Sequence, residues 1–213
     1  MVYRTGPLEK YVADAAAGLP APGGGSVSAL AGALGAAMAA MAANFTVGRK
    51  KFAAVEPAVR PILQQCEAGC RRLVELMDRD VEAYGTVSAA YGLPRDTDEQ
   101  RAARTAAIQN ALQAAMAEPL ATFRQCRDLL RLLDRLVETA NPNLISDVGV
   151  AAILLEAALR GAKINVEINL AALKDHALVA QTRTEIDDGA AEAARAAASV
   201  LGRVYQKMGW PPA

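Results

Sequence analysis

The feature that most constrains this chain is an uncharged stretch of small residues from Val27 to Val47. Its length is close to the ~20 residues that a helix needs to span a bilayer. It consists mostly of alanine and glycine, however, and such side chains contribute little to membrane insertion but allow neighbouring helices to approach closely. We therefore expect a buried helix in a soluble bundle or at a dimer interface, with a membrane-spanning helix as the alternative.

Both ends of this stretch carry features that suit anion binding. Three glycines and a serine precede it, in the order Gly23, Gly24, Gly25 and Ser26. Glycines let the backbone pass close to a ligand, and Ser26 as the N-cap would turn the following amide groups toward that ligand. The cations Arg49, Lys50 and Lys51 follow the stretch. A substrate with carboxylates or phosphates suits either end, and a plain turn is the structural alternative for the glycines.

Composition favours a helical fold. Hydrophobic residues make up 53% of the 213 residues, but aromatic residues only 4%. Alanine supplies much of the remaining apolar content, which suits closely packed helices better than a sheet. No segment shows the period-two alternation of a strand. We predict an all-α fold, a multi-helical bundle of long antiparallel helices, and a single domain over residues 1–213 because no linker-like segment interrupts the chain.

Helix start and stop signals divide the chain into six helices. The first is a short helix between Pro7 and Gly18, and the second is the buried helix. The other four are predicted at Glu56 to Tyr91, at Thr97 to Thr139 with a kink or break at Pro119, from Ser146 or Asp147 to Lys174, and at Leu178 to Met208. Thr97 to Gln100 has the form of a capping box.

Charge and cysteine content limit the classes of partner. The 23 basic and 23 acidic residues balance to a net charge of +0, which gives no reason to expect a nucleic-acid or membrane partner. The three cysteines cannot all pair and no secretion signal precedes them, so we expect a cytoplasmic protein. The lone histidine, His176, is expected at the surface or in a helix cap, and no metal site is expected. Neither a P-loop nor a dinucleotide motif is present.

Helical phase singles out Asp80. One apolar stripe of the third helix contains Leu73, Leu76, Met77, Asp80, Tyr84, Val87 and Tyr91. Asp80 therefore points inward, whereas Asp78 and Glu82 are expected on the opposite, solvent-facing surface. A carboxylate on a buried stripe either finds donors or has its pKa raised, and both outcomes suit proton transfer near neutral pH. A hydrogen bond between helices is the structural alternative.

Asn165 and Asn169 are i,i+4 neighbours on an otherwise apolar helix surface. Locking two helices together is the favoured explanation, and recognition of a flat heterocycle by the amides is the alternative. Lys163 and Glu167 are expected to form a solvated ion pair.

Five blocks in register give the chain a resemblance to a known family. They are Pro20 to Gly35, Gly48 to Phe52, Asp78 to Tyr84 with Leu93 to Arg95, Asn143 with Ser146 to Ala152, and Gly161 to Leu170. Together they resemble the cyclodeaminase/cyclohydrolase family that acts on one-carbon tetrahydrofolates. The resemblance covers nearly the whole chain.

This resemblance implies an all-helical, dimeric enzyme whose folate site includes the Gly-rich loop. It also implies a catalytic aspartate at the second acid of the Asp-x-Asp motif, which is Asp80. Some family members release ammonia from 5-formiminotetrahydrofolate, and others hydrate 5,10-methenyltetrahydrofolate to 10-formyltetrahydrofolate. Because no formiminotransferase domain precedes this segment, we expect a cyclohydrolase, with a cyclodeaminase and a non-catalytic helical scaffold as alternatives.

The resemblance also suggests how folate would bind, with no further cofactor. Arg49 and Lys50 are the candidates for the anionic glutamate tail, and a solvated helix end is their structural alternative. Four residues are candidates for pterin contacts through the resemblance alone, namely Asn143, Ser146, Asp147 and Asn165. Asp80 would act as the general base on the attacking water.

Overall fold

The computed structural model describes residues 2–210, and its long elements are all α-helices. The helices are α1 Leu8–Ala16, α2 Gly24–Asn44, α3 Glu56–Tyr91, α4 Asp98–Thr139, α5 Ile145–Leu170 and α6 His176–Lys207. Two short 3₁₀ turns, Lys50–Phe52 and Pro142–Leu144, precede α3 and α5. No strand occurs within residues 2–210. The prediction of a single all-α domain is confirmed.

Helix α2 is the centre of the bundle and packs against α3, α4 and α5. Its glycines bring the neighbouring helices unusually close. A Cβ atom added at Gly32 would lie 2.8 Å from Cys126 Sγ, and one at Gly35 would lie 2.9 Å from Leu155 Cγ. By length and mean hydropathy (1.6), α2 is apolar enough to cross a membrane, but 61% of its apolar window is buried inside the bundle. Such burial is what the core helix of a bundle shows.

Helices α2 and α5 run antiparallel. The start of α2 lies beside the end of α5, because Gly24 packs against Asn165. At the opposite end of the pair, the Asn141 backbone N–H donates to Thr46 Oγ1 at 2.9 Å. The two helices therefore give the molecule two distinct ends about one helix length apart.

Local signals predicted several helix ends correctly. Helix α3 spans Glu56–Tyr91 as expected. The capping box at the start of α4 is present, since Gln100 N donates to Thr97 Oγ1 at 3.2 Å and Thr97 N donates to Gln100 Oε1 at 3.3 Å. Pro119 does not divide α4, which is one helix from Asp98 to Thr139.

Two predicted caps are wrong. Ser26 is not the N-cap of α2, because the helix begins at Gly24 and Gly23 is its N-cap. Neither Ser146 nor Asp147 caps α5, which begins at Ile145 directly after the 3₁₀ turn. A chain that is already helically wound when it enters α5 needs no separate side-chain cap there. At the other end α5 stops at Leu170 rather than at Lys174.

Candidate active site

A cavity of about 300 Å³ opens at the end of the bundle where α2 begins. The loop before α2 and its first residues form one wall, including Gly23, Gly24 and Gly25. The remaining lining comes from α3, from Ala115 of α4 and from the end of α5. Asp80 and Asn165, which lie far apart in sequence, meet in this cavity.

The Asp80 carboxyl group lies directly against the first turn of α2. A Cβ atom added at Gly25 would lie 2.1 Å from Asp80 Oδ1 and 2.8 Å from Oδ2. Only glycine leaves room for the carboxylate here, which explains the glycine at position 25. The first amide groups of a helix have no acceptor within the helix and favour a negative charge nearby. The backbone N–H of Ser26 is close enough to Asp80 to lower the pKa of its carboxyl.

Burial raises the pKa of the Asp80 carboxyl above its ordinary value. The Ser26 backbone N–H opposes this shift by lowering the pKa, and the nearby charge of Glu118 raises the pKa further. Glu118 is itself held by Arg79 at 3.0 Å. Asp80 is thus a half-buried acid that holds its proton more strongly than a solvated aspartate does.

The Ser26 side chain has a different role from a ligand contact. Ser26 is fully buried, and its hydroxyl donates to the Met77 carbonyl at 2.8 Å. The same Oγ lies 3.0 Å from Tyr11 Oη. The hydroxyl therefore joins α1, α2 and α3, and Ser26 is not among the residues that line the cavity.

Asn165 and Asn169 both line the cavity. Asn165 Nδ2 donates to the Gly161 carbonyl and Asn169 Nδ2 donates to the Asn165 carbonyl, each at 2.8 Å. These bonds stay within α5 and do not lock two helices together. The arrangement agrees better with the alternative explanation, in which the amides face a flat ligand.

Helical phase placed Tyr84 and Val87 on the stripe of Asp80, but sequence reasoning did not assign them to the site. The stripe is buried as far as Met77 and then opens into the cavity, where Tyr84 is 48% exposed. Ile168 of α5 also lines the cavity and is 71% exposed. The signal that could have found Tyr84 and Val87 is their spacing of four and seven residues from Asp80.

Pro119 explains a further polar feature of the cavity. A proline has no N–H, so the carbonyl of Ala115, four residues earlier, receives no hydrogen bond from it. Ala115 lines the cavity. This backbone carbonyl is a candidate acceptor for a ligand N–H group.

The predicted orientation of Asp78 is wrong. Asp78 is buried, accepts a hydrogen bond from the Tyr3 backbone N–H at 2.7 Å, and pairs with Arg4 at 3.6 Å. The N-terminal segment crosses this face of α3 and buries it, and the periodicity of α3 alone cannot predict such a contact. Glu82 is exposed, as expected.

The remaining candidate residues lie at the other end of the molecule. Arg49 and Lys50 follow the C-terminal end of α2, roughly 30 Å from its start at 1.5 Å per residue. Asn143, Ser146 and Asp147 lie at the start of α5, beside that same end. None of these five residues lines the cavity that contains Asp80.

Other sequence expectations concern residues away from the cavity. His176 is exposed at the first position of α6. Lys163 pairs with Glu167 at 2.5 Å and also with Asp187 at 3.0 Å. Burial raises the pKa of the Cys66 and Cys126 thiols to about 12, so both are unreactive core residues at neutral pH. Within residues 2–210, no cluster of three or more His, Cys, Asp or Glu side chains is placed to hold a metal ion.

Comparison with known proteins decides the family. The family model described as formiminotransferase-cyclodeaminase matches residues 7–188, which is most of the chain. The chain belongs to the formiminotransferase-cyclodeaminase family. The resemblance seen in the five sequence blocks is thereby confirmed.

Members of the family carry two kinds of name. The chain is 39% identical to the methenyltetrahydrofolate cyclohydrolase of Methylorubrum extorquens, over 94% of this chain and 95% of that protein. It is 37% identical to the formimidoyltransferase-cyclodeaminase of Rattus norvegicus over 92% of this chain, but it spans only 36% of the rat protein.

A solved family structure has the same fold. The formiminotetrahydrofolate cyclodeaminase of Thermotoga maritima superposes with a TM-score of 0.77 and is 31% identical, covering 95% of this chain and 96% of that one. The helical architecture of this chain is therefore that of a protein named as a cyclodeaminase.

Proposed function

We propose that this protein is a methenyltetrahydrofolate cyclohydrolase, which hydrolyses 5,10-methenyltetrahydrofolate to 10-formyltetrahydrofolate. The similarity to the Methylorubrum cyclohydrolase, which extends over 95% of that protein, supports this choice of reaction. The observation that carries the chemistry is the contact between Asp80 and Gly25, which holds one acid with a raised pKa at the wall of an open cavity.

In the proposed mechanism Asp80 acts first as a general base. The methenyl carbon lies between two nitrogens and carries positive charge, so it is already electrophilic. Asp80 takes a proton from a water molecule as the water oxygen bonds to this carbon. Its negative charge also stabilises the bound cation before attack.

Asp80 then acts as a general acid. The hydroxyl adduct opens as the bond from carbon to N5 breaks, and protonated Asp80 supplies the proton that N5 gains. The adduct hydroxyl loses its proton to solvent and becomes the formyl carbonyl. Overall, the methenyl cation and one water molecule give the neutral formyl compound and one proton.

The walls of the cavity suit the pterin. Tyr84 and Ile168 offer exposed apolar surface on two different helices, which suits the faces of a flat ring. The amides of Asn165 and Asn169 offer hydrogen bonds along its edge. In this arrangement Gly23, Gly24 and Gly25 allow the ligand to approach the backbone beside Asp80.

A homodimer would bring the second group of candidate residues to the site. Helices α2 and α5 both leave apolar side chains exposed along their length, namely Val27, Leu34, Met41 and Phe45 of α2 and Val150, Ile153, Ile164 and Ile168 of α5. In a two-fold pairing of antiparallel helices, the far end of one copy would meet the cavity of the other. Arg49, Lys50, Asn143, Ser146 and Asp147 would then serve the partner's substrate.

The dimer has a direct test. Leu34, at the middle of α2, is 52% exposed, and Leu34→Glu places a charge in the proposed interface. Light scattering should show a dimer for the wild type and a monomer for this variant. Leu8→Glu on α1, where the leucine is 65% exposed, is the matched control and should remain dimeric. A monomeric wild type would contradict the proposal.

We also propose that the protein works in the cytoplasm and outside the membrane. Its three cysteines are free, which agrees with a reducing compartment. The burial of α2 between α3 and α5 supports its role as a core helix. Recovery of the protein in washed membranes without detergent would contradict this proposal.

A cyclodeaminase is the second candidate, because the Thermotoga structure with this fold carries that name. An acid with a raised pKa also suits this reaction, since Asp80 in its protonated form would protonate the departing ammonia. The same cavity and the same residue would serve both reactions.

One pair of assays separates the two reactions. The absorbance of methenyltetrahydrofolate should fall on addition of enzyme, whereas 5-formiminotetrahydrofolate should release no ammonia above the uncatalysed rate. Ammonia release without hydrolysis of the methenyl compound would establish the cyclodeaminase instead. Activity on neither substrate would support the non-catalytic scaffold.

A further inference from the structure

The Ser26 hydroxyl is a buried junction of three helices. Ser26 Oγ donates to the Met77 carbonyl of α3 at 2.8 Å. Because this bond uses its only hydrogen, the 3.0 Å contact with Tyr11 must have Tyr11 Oη as the donor. Burial raises the pKa of the Tyr11 hydroxyl, which keeps it protonated at neutral pH.

The same serine reaches Asp80 through its backbone. The Ser26 backbone N–H lowers the pKa of the Asp80 carboxyl, while the Ser26 hydroxyl bonds the carbonyl three residues before Asp80. Gly25, the preceding residue, contacts the carboxylate directly. The first turn of α2 is therefore fixed both to the backbone of α3 and to the acid on that helix.

Tyr11 is fixed in turn by the N-terminal segment. Its ring packs edge-on against Tyr3, with centroids 5.2 Å apart and planes at 86°. The Tyr3 backbone N–H donates to the buried Asp78 at 2.7 Å. The two acids of the Asp-x-Asp motif are thus linked, since Asp78 anchors the segment whose tyrosine holds the turn against Asp80.

We propose that Tyr11 and Ser26 are positioning residues, which act through the first turn of α2 to set the place of the Asp80 carboxylate against the backbone of that turn. This inference rests on the proposed role of Asp80 in proton transfer. Neither side chain needs to touch the substrate.

The groups around Asp80 determine how the pKa of its carboxyl should change when the Tyr11 hydroxyl is removed. Tyr11 of α1 and the Ser26 N–H of α2 face it, Glu118 approaches from α4 paired with Arg79, and Asn165 of α5 is uncharged. Removal of the Tyr11 hydroxyl frees Ser26 Oγ to turn and loosens the first turn of α2. The Ser26 backbone N–H lowers the pKa of Asp80, so moving this group away from the carboxylate raises that pKa and moves the acid limb of activity to higher pH.

Tyr11→Phe is the main test, because it removes one hydroxyl and keeps the ring. Carboxyl carbon NMR should show Asp80, assigned by its loss in Asp80→Asn, titrating about half a pH unit higher than in wild type. The acid limb of kcat/KM should move by the same amount. At neutral pH kcat should fall by roughly three- to tenfold with KM changed less than twofold.

Two matched variants separate positioning from general loss of stability. Tyr3→Phe removes the neighbouring hydroxyl, which bonds Asp14 instead of Ser26. Thr46→Val removes a buried hydroxyl at the opposite end of α2. Both should lower the unfolding temperature, but neither should move the Asp80 titration. Ser26→Ala should move it in the same direction as Tyr11→Phe, and Tyr11→Phe decides the matter where Ser26→Ala does not fold.

An unchanged Asp80 titration in folded Tyr11→Phe would overturn the inference, as would an equal shift in Tyr3→Phe or Thr46→Val. The titration needs no turnover. A wild-type protein inactive on both folates would therefore count against the proposed function, while the NMR result would still decide the role of Tyr11.

Discussion

At the scale of single residues, the site depends on the absence of a side chain at Gly25. The Asp80 carboxylate occupies the space that a Cβ atom would need, and the Ser26 backbone N–H lowers its pKa there. A glycine can therefore be as important for the chemistry as the acid that it admits.

Gly25→Ala should lower turnover by at least about a hundredfold, since a Cβ atom 2.1 Å from Asp80 Oδ1 must displace the carboxylate. Steady-state kinetics with circular dichroism checks this. Gly85→Ala in α3 is the control, because a Cβ atom there meets nothing within 4 Å and Gly85 does not line the cavity. Equal activity of the two variants would show that the placement of the carboxylate is unimportant.

The raised pKa of Asp80 also predicts how stability depends on pH. A folded-state pKa above the unfolded value means that protonation favours the folded state, so this contribution is present below the unfolded pKa and is lost as pH rises through the folded pKa. Asp80→Asn should therefore unfold at a temperature equal to or above that of wild type at pH 8. The difference in unfolding temperature between Asp80→Asn and wild type should shrink as the pH falls, and calorimetry over pH 4 to 8 measures it. A difference that grows at acidic pH would contradict the raised pKa of Asp80.

At the scale of elements, the sequence signals correctly predicted helix ends that depend on adjacent residues. The bounds of α3 and the capping box at Thr97 follow from residues next to each other in sequence. The start of α5 was mispredicted because a 3₁₀ turn replaces a side-chain cap. The burial of Asp78 was missed because the residues that contact it, Tyr3 and Arg4, lie 75 and 74 positions away in the sequence.

The close approach of α2 and α5 gives a prediction with opposite signs for two glycines. Gly35→Ala should destabilise the fold by about 1–3 kcal/mol, because its Cβ would lie 3.1 Å from the Leu155 backbone N and 3.2 Å from the Ala151 carbonyl, which cannot move aside easily. Gly202→Ala in α6 meets nothing within 4 Å and should stabilise by up to about 1 kcal/mol. Urea unfolding measures both values, and destabilisation by Gly202→Ala equal to that by Gly35→Ala would contradict the packing argument.

At the scale of the whole molecule, the candidate residues divide between two ends. Asp80, Asn165 and the glycines meet at one end, as the sequence blocks suggested. Arg49, Lys50 and the residues around Asn143 lie at the other end, and local sequence signals could not predict this because it depends on how α2 and α5 pack against each other. The assignment of the second group to folate stays a prediction that requires a second copy of the chain.

Subunit complementation tests that requirement. Asp80→Asn is co-expressed with a chain that carries Arg49→Ala and Lys50→Ala, and the mixed dimer is isolated with two different tags. If each site combines Asp80 of one copy with the cations of the other, one of the two sites in the mixed dimer is intact. Activity on polyglutamylated substrate at low concentration should then be about half that of wild type. Activity no greater than the average of the two parent variants would place the cations outside the site.

The most direct test of the central claim is the turnover of 5,10-methenyltetrahydrofolate by Asp80→Asn, followed by absorbance and compared with wild type at the same pH. General acid–base assistance is typically worth about 10² to 10⁴ in rate, so kcat should fall by that factor while circular dichroism and the unfolding temperature show a folded protein. Turnover near the wild-type rate in the folded variant would contradict a role for Asp80 in the chemistry.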